Sequence, residues 1–157
     1  MAMQAYHLAQ FNIARMKAPL ESPVMADFVA SLDQINRLAD ASPGFVWRLQ
    51  SEAGDATSLR PFGEEMLVKM SVWATLDALT EFVYKTAHTE VMKRRREWFE
   101  RLAEAYTVLW WVPSGHEPTI EEAGERLTEL RRLGPTPRAF SFREPFSPAG
   151  ARLGGTG

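Results

Sequence analysis

The sequence contains no cysteine and no surplus of basic residues, and each absence excludes a class of function. A chain without cysteine has no disulfide, no thiolate metal ligand and no cysteine nucleophile, so its stability must come from packing. Its 18 lysines and arginines are outnumbered by 20 aspartates and glutamates, which leaves no overall positive charge to attract a phosphate backbone. We therefore expect no nucleic-acid partner.

Long apolar runs are missing as well. No stretch approaches the roughly 18 uninterrupted apolar residues of a membrane-spanning helix, and the first residues lack the basic start and apolar run of a secretion signal. Together with the lack of cysteine, this predicts a cytoplasmic protein without a membrane partner. The sequence also has no glycine-rich phosphate loop and no serine nucleophile elbow, which argues against nucleotide-dependent and α/β-hydrolase chemistry.

The composition suits one packed domain. The chain has 157 residues, of which 45% are hydrophobic and 11% aromatic, and this is enough for a single core. We predict one domain over residues 1–146. Residues 147–157 are rich in glycine and hold one large apolar residue, Leu153, so they are predicted to form a flexible tail.

The hydrophobic pattern predicts the element order β-α-β-β-α-β. Strands are predicted at residues 7–16, 45–50, 67–73 and 106–112, where β-branched and aromatic residues are bounded by turn residues. A first helix should begin at Ser22 as side-chain cap, and a long second helix should run from Thr75 to Leu102. This is a ferredoxin-like α+β fold, an antiparallel sheet with both helices on one face.

Two additions follow the fourth strand. Thr119 and Glu122 have the spacing of a capping box, and they predict a third helix that ends near Gly134. Phe140 and Phe142 then alternate with smaller residues, which predicts either an extra edge strand or an arm that lies across a partner.

Four tryptophans indicate that the second face of the sheet is covered. Trp47, Trp73, Trp110 and Trp111 are more large rings than an exposed sheet face carries, because contiguous apolar patches are rare on monomers. We predict that two copies pack face to face as a homodimeric α/β barrel.

Most of the chain, from Tyr6 to about Phe146, resembles a bacterial family of unknown function, DUF family 3291. The carrying segments are LAQFNIARMKAPLESPVMADFV, SPGFVWRL, MSVW followed by AHTEVMKRRREWF, and LWWVPSGHEPTIEEAGERL followed by GPTPRAFSFREPF. This family is placed in the dimeric α/β-barrel superfamily, which also holds antibiotic-biosynthesis-type monooxygenases, haem-degrading enzymes and proteins without demonstrated activity. The resemblance implies the ferredoxin-like fold and the dimer.

His88 is the candidate catalytic residue. Many members of the superfamily carry a histidine on the second long helix, after a strand-ending tryptophan like Trp73, and in some it binds haem or lies by the substrate. In this sequence Tyr84, His88 and Met92 follow a stripe beside the core stripe, where a side chain can reach a cleft. An imidazole there can accept a proton or bind a metal; the alternative is a structural histidine. We expect no cofactor, with haem as the alternative, and no dedicated metal site.

The third predicted strand supplies candidate ligand-binding residues. Lys69, Ser71 and Trp73 share one side of it, and its opposite side is uniformly apolar. The apolar side should meet the helices, so these three residues, with Gln10 and Asn12 of the first strand if the register agrees, should line the barrel side of the sheet. We predict that Asn12, Lys69, Ser71, Trp73 and Tyr84 bind a small hydrophobic ligand. The alternative is a polar network at the dimer interface.

Other charged groups are expected to be structural. Arg48 and Arg60 more often form surface ion pairs than anion sites, and the basic run 93–96 is interleaved with glutamates at helical spacing. His116 should order its loop. The function predicted overall is a monooxygenase-like pocket protein for a hydrophobic or aromatic substrate; the alternative is a non-enzymatic homodimeric binding or stress-associated protein.

Overall fold

The fold is an antiparallel sheet with helices on both faces. The computed structural model describes residues 5–50, 57, 59–85 and 93–153, and the side chain of residue 85 is not among them. The strands are β1 (Tyr6–Arg15), β2 (Phe45–Arg48), β3 (Met66–Trp73) and β4 (Thr107–Pro113). The helices are α1 (Ala26–Ala41), α2 (Leu76–Lys85), α3 (Arg95–Trp98) and α4 (Ile120–Leu133), and a 3-10 turn at Pro23–Met25 precedes α1.

The sheet order is β2-β3-β1-β4, with every neighbouring pair antiparallel. This order confirms the ferredoxin-like α+β prediction. The register places Gln10 opposite Ser71 and Asn12 opposite Lys69, so these four side chains share one face of the sheet.

The helix starts follow the sequence signals in two cases of three. Thr119 accepts a hydrogen bond from the backbone N–H of Glu122 at 3.1 Å, as a capping box requires, and Thr75 accepts one from Ala78 N–H at 3.0 Å. The predicted cap at Ser22 is wrong, because its hydroxyl donates to the carbonyl of Pro19 and the chain forms the 3-10 turn first.

The predicted second helix is too long at its C-terminal end. Residues 86–92 lie outside the described part of the chain, and α3 ends at Trp98. Phe99 is extended, with φ −127° and ψ 145°, and it forms a bridge with Met16. Leu102 therefore lies beyond the helix, where it packs against the core on the α4 side of the sheet.

The two sheet faces are assigned the wrong way round by the sequence argument. The apolar side of β3, formed by Val68, Met70 and Val72, packs against α4 through Ala123, Leu127 and Leu130. The other side packs against α1 and α2, because Trp73 belongs to one cluster with Ile35 and Leu79. Lys69 and Ser71, on the same side as Trp73, therefore face α1 and α2 rather than a barrel interior.

The tryptophan argument for a dimer is also corrected. Trp73 and Trp110 are each only 1% exposed within the single chain, because α2 and α4 lie on opposite faces of the sheet. Trp47 and Trp111 are half-buried against the same two clusters. A partner is not needed to cover these rings, and the homodimeric barrel stays a prediction.

The C-terminal segment is an arm on its own chain. Phe140 is fully buried and exchanges two backbone hydrogen bonds with Leu109 of β4, so it forms a single bridge rather than a predicted edge strand. Part of the predicted tail turns back on this arm, since Leu153 N–H donates to the carbonyl of Pro145 at 2.9 Å. The domain boundary at residue 146 stays a prediction. In the described ranges, none of the helices combines the length and apolar character of a bilayer-spanning segment.

Candidate functional site

A cavity of about 650 Å³ lies between the sheet and the helices α1 and α2. Its walls are mostly apolar: α1 contributes Phe28, Leu32, Ile35 and Ala39, and α2 contributes Leu79, Phe82 and Val83. Polar groups of the sheet form its floor: Gln10, Asn12, Lys69, Ser71, Trp73 and Thr107. The rest of the lining includes further polar residues, Asn36, Arg48, Thr57, Tyr84, Arg95, Ser141 and Arg143, and the end of α4 contributes Leu130 and the following Gly134 and Pro135. Apolar walls with a few convergent polar groups are typical of small-molecule sites, which commonly enclose about 300–1,000 Å³.

Hydrogen bonds fix one row of the floor. Trp73 Nε1–H donates to Ser71 Oγ at 2.9 Å, and the Ser71 hydroxyl donates to Gln10 Oε1 at 3.2 Å. The indole of Trp73 also stacks on Phe82, with ring centroids 5.1 Å apart, and meets Phe45 edge-on at 5.4 Å. The tryptophan is therefore held on both its polar and its apolar sides, and at 1% exposure it is a fixed part of the cavity wall.

The next row of the floor carries Asn12. The pairing places it between Lys69 of β3 and Thr107 of β4, and all three line the cavity. Amide, ammonium and hydroxyl groups in one row supply both donors and acceptors. This row can orient a polar substituent of a ligand whose apolar part lies against the helices.

All five residues predicted to bind a ligand line the cavity. Asn12, Lys69, Ser71 and Trp73 form the floor, while Tyr84 is 59% exposed and meets Phe142 edge-on at 6.2 Å. Tyr84 therefore lies at the opening, and the role of each residue stays a prediction. His88 and Met92 lie outside the described residues.

The arm and α3 contribute cavity residues that the sequence argument missed. Ser141, Phe142 and Arg143 of the arm line the cavity, as does Arg95 of α3. The sequence argument assigned Arg95 to the basic run 93–96, which was expected to form a solvated helix face. The sequence contained a signal for both arginines, an aromatic residue nearby. Trp98 and Phe99 follow Arg95 within one helical turn, and Phe142 directly precedes Arg143.

Arg48 and Arg60 form the expected ion pairs, with Asp40 and Glu64 respectively. Arg48 donates to both carboxylate oxygens of Asp40, at 2.8 and 3.3 Å. Arg60 Nε donates to the carbonyl of Thr57 at 2.7 Å. Both guanidinium groups are thus held by their own chain.

Arg94 forms the strongest pair in the basic run. Its guanidinium lies 2.8 Å from Glu97 and 2.9 Å from Asp27. These hydrogen bonds, with Glu97 first, raise the pKa of Arg94, and the bond from Arg94 lowers the pKa of Glu97. The group is a surface network that ties α3 to α1.

A separate polar cluster lies on the opposite side of the sheet. Glu122 of α4 accepts a hydrogen bond from Trp110 Nε1–H at 2.8 Å, and its other carboxylate oxygen lies 2.7 Å from His116 Nε2. Burial acts to raise the pKa of Glu122, but the bonds from His116 and Trp110 outweigh it, and the net effect is a lowered pKa. His116 thus links its loop to α4 as expected, away from the cavity.

Replacing Glu122 by alanine should destabilise the fold by about 1–3 kcal/mol, because the buried Trp110 N–H loses its acceptor. Since the folded pKa is below the unfolded one, the carboxylate contributes most above the ordinary glutamate pKa, and its contribution falls as pH drops through the folded value. Urea unfolding of wild type and Glu122→Ala should show a difference in the free energy of unfolding that is largest near neutral pH and becomes smaller in acid. Glu125→Ala, exposed on the same helix, is the control and should change stability by less than about 0.5 kcal/mol. A stability difference that increases in acid would contradict the stabilising role of the ionised Glu122 carboxylate.

No metal centre is visible in the described ranges, where no three histidine, aspartate or glutamate side chains come close enough to hold an ion. The sequence from residue 7 to residue 154 matches the model of one family, the domain of unknown function DUF3291. The chain belongs to this family. No curated protein matches it.

Solved structures resemble this DUF3291 protein at low sequence identity. NE2512 from Nitrosomonas europaea, a protein of unknown function, is 17% identical with a TM-score of 0.46, over 74% of this chain and 97% of that one. SnoaB from Streptomyces nogalater, a cofactor-independent oxygenase, is 14% identical with a TM-score of 0.43, over 74% and 98%. Rv0793 from Mycobacterium tuberculosis is 15% identical with a TM-score of 0.45, over 72% and 99%. The likeness concerns the fold alone.

Proposed function

We propose that this DUF3291 protein binds a hydrophobic, aromatic small molecule in the cavity and oxidises it in the manner of a monooxygenase. The observation that carries the proposal is the cavity itself, about 650 Å³ with apolar walls and a hydrogen-bonded polar floor. Trp73 fixes the shape of the floor, and Asn12 and Tyr84 position the polar part of the substrate.

The proposed chemistry needs no cofactor. An electron-rich aromatic substrate can itself reduce dioxygen once it has lost a proton, so the protein must supply a base and a dry site. We assign the base to His88, on the sequence argument given above. The homodimer is part of the same proposal.

A second candidate is a binding protein without catalysis. One observation favours it: among the described residues that line the cavity, none is a histidine, an aspartate or a glutamate. A proton acceptor of the usual kind must therefore come from outside the described residues, and without His88 in that role the cavity would only bind.

Oxygen uptake separates the two candidates. We expect purified protein to consume dioxygen with at least one member of a panel of polycyclic phenols and aromatic acids, and His88→Ala to lower that rate at least about 100-fold, the range of a general base. His116→Ala, which removes a histidine bonded to Glu122 outside the cavity, should keep the rate. Saturable binding without oxygen uptake would favour the binding protein, and a Soret absorption band in the purified protein would favour the haem alternative.

A further inference from the structure

We infer that the ligand of this cavity is an aromatic carboxylic acid whose carboxylate is bound by Arg95. The inference rests on the proposed function, because it names the chemical class that the proposed cavity accepts. Three observations carry it: the sign of the charges in the lining, the surroundings of Arg95, and the difference between Arg95 and its neighbours in the chain.

The described cavity lining is basic only. It contains four cationic side chains and no carboxylate; the cations are Arg48, Lys69, Arg95 and Arg143. Arg48 is neutralised by Asp40, which lies outside the lining. An anion that enters a largely apolar cavity is stabilised by a partly desolvated guanidinium, because the attraction between the two charges is weakly screened there.

Arg95 is the cation placed among aromatic rings. Its guanidinium carbon lies 4.7 Å from the ring centre of Tyr106 and 5.5 Å from that of Phe99. Within the described chain, no carboxylate oxygen comes within ion-pair distance of it. The ring contacts involve the face of the guanidinium and use none of its N–H donors. These donors stay available for a planar carboxylate, which guanidinium binds in bidentate geometry.

The surrounding rings favour a flat ligand. Phe99 meets Phe28 edge-on, with ring centres 5.0 Å apart, and Phe28 lies 5.4 Å from Trp98; all three line the cavity. A carboxylate at Arg95 would therefore attach to a ring system that packs on these side chains. The neighbouring arginines differ, because Arg94 is paired with Glu97 and Asp27, and Arg96 is exposed outside the lining.

The test compares matched acids and amides by isothermal titration calorimetry. One pair is 1-naphthoic acid and 1-naphthamide, which have nearly the same shape but differ in charge at neutral pH; pairs with one ring and three rings complete the series. We expect the acid of the best-fitting pair to bind wild-type protein at least about tenfold more tightly than its amide, as charge-assisted hydrogen bonds predict.

The variants test which cationic residue causes the preference for the acid over the amide. Arg95→Met, which keeps an apolar side chain over the rings, should bring the acid-to-amide ratio close to one. Arg96→Met, one residue away and outside the lining, should leave it unchanged. The wild-type comparison stands even if a variant fails to fold.

Each outcome decides the inference. Equal binding of acid and amide would overturn it while leaving the proposed cavity intact, and an unchanged preference in Arg95→Met would overturn the role of Arg95. If no compound of any pair binds, the inference falls together with the proposed function.

Discussion

Replacing Phe140 by alanine should lower the free energy of unfolding by about 3–5 kcal/mol, the range for truncating a fully buried phenylalanine. Phe140 is 0% exposed, and its ring packs in one cluster with Trp73 and Leu79, the side chains that hold α2 on the sheet. Its ring centre also lies 5.9 Å from that of Phe146, so the change should loosen the arm as a whole. Urea denaturation measures the loss.

The control for this prediction lies two residues along the arm. Phe142 is half-buried and meets Tyr84 at the cavity opening, so Phe142→Ala should cost clearly less than Phe140→Ala. A loss for Phe140→Ala below about 1 kcal/mol, no larger than that for Phe142→Ala, would mean that Phe140 is not a core residue and that the arm does not pack on β4.

Filling the cavity should abolish ligand binding. Leu32 of α1 is 6% exposed and lines the cavity, so the indole of Leu32→Trp would occupy the space between α1 and the floor. We expect affinity for the tightest naphthalene ligand to fall at least about 100-fold, equivalent to roughly 2.8 kcal/mol, because the ligand loses its buried position. Calorimetry measures the affinity, and a thermal melt confirms that the variant is folded.

Val29→Trp is the matched control for this change. Val29 lies on the same helix but is 41% exposed and outside the cavity lining. The added indole there should leave ligand affinity unchanged within about a factor of two. Undiminished binding by Leu32→Trp would place the ligand somewhere other than this cavity.

The sheet was predictable because its signals are local. Alternation along β1 and β3 determines which side chains of one strand share a face, and turn residues bound each strand. The register that pairs Asn12 with Lys69 was left open, because it depends on the assembled sheet. Which face meets which helices was not predictable in the same way. The sequence argument assumed that α1 and α2 cover the more apolar side of β3, whereas α4 covers it, with Leu127 and Leu130 packed against Val68.

The end of α3 shows tertiary contacts overriding helical periodicity. Leu102 fits the helical spacing of the residues before it, but the chain becomes extended at Phe99. There Lys17 N–H donates to the carbonyl of Trp98, and Glu100 N–H donates to that of Arg15, so the end of β1 takes up the backbone groups. Burial of Trp98 and Phe99 against Phe28 stabilises this arrangement, and periodicity contains no information about it.

The sequence predicted which residues form the floor of the candidate site, but it did not predict that Arg95 adds positive charge to the cavity lining. Lys69, Ser71 and Trp73 follow from strand alternation, although they were expected on the barrel side. Arg95 belongs to the cavity through α3 and its contact with Tyr106, a residue of a different element, and such a contact depends on the assembled fold. The sequence alone predicted for Arg95 the solvated environment that Arg94 in fact has.

A crystal structure of the protein with the tightest-binding ligand tests the central claim most directly. We predict electron density for the ligand between the sheet and the helices α1 and α2, over Trp73 and Asn12, with its walls formed by Leu32 and Phe82. Density on the α4 side of the sheet, or a cavity closed by its own side chains while the ligand binds elsewhere, would contradict the account.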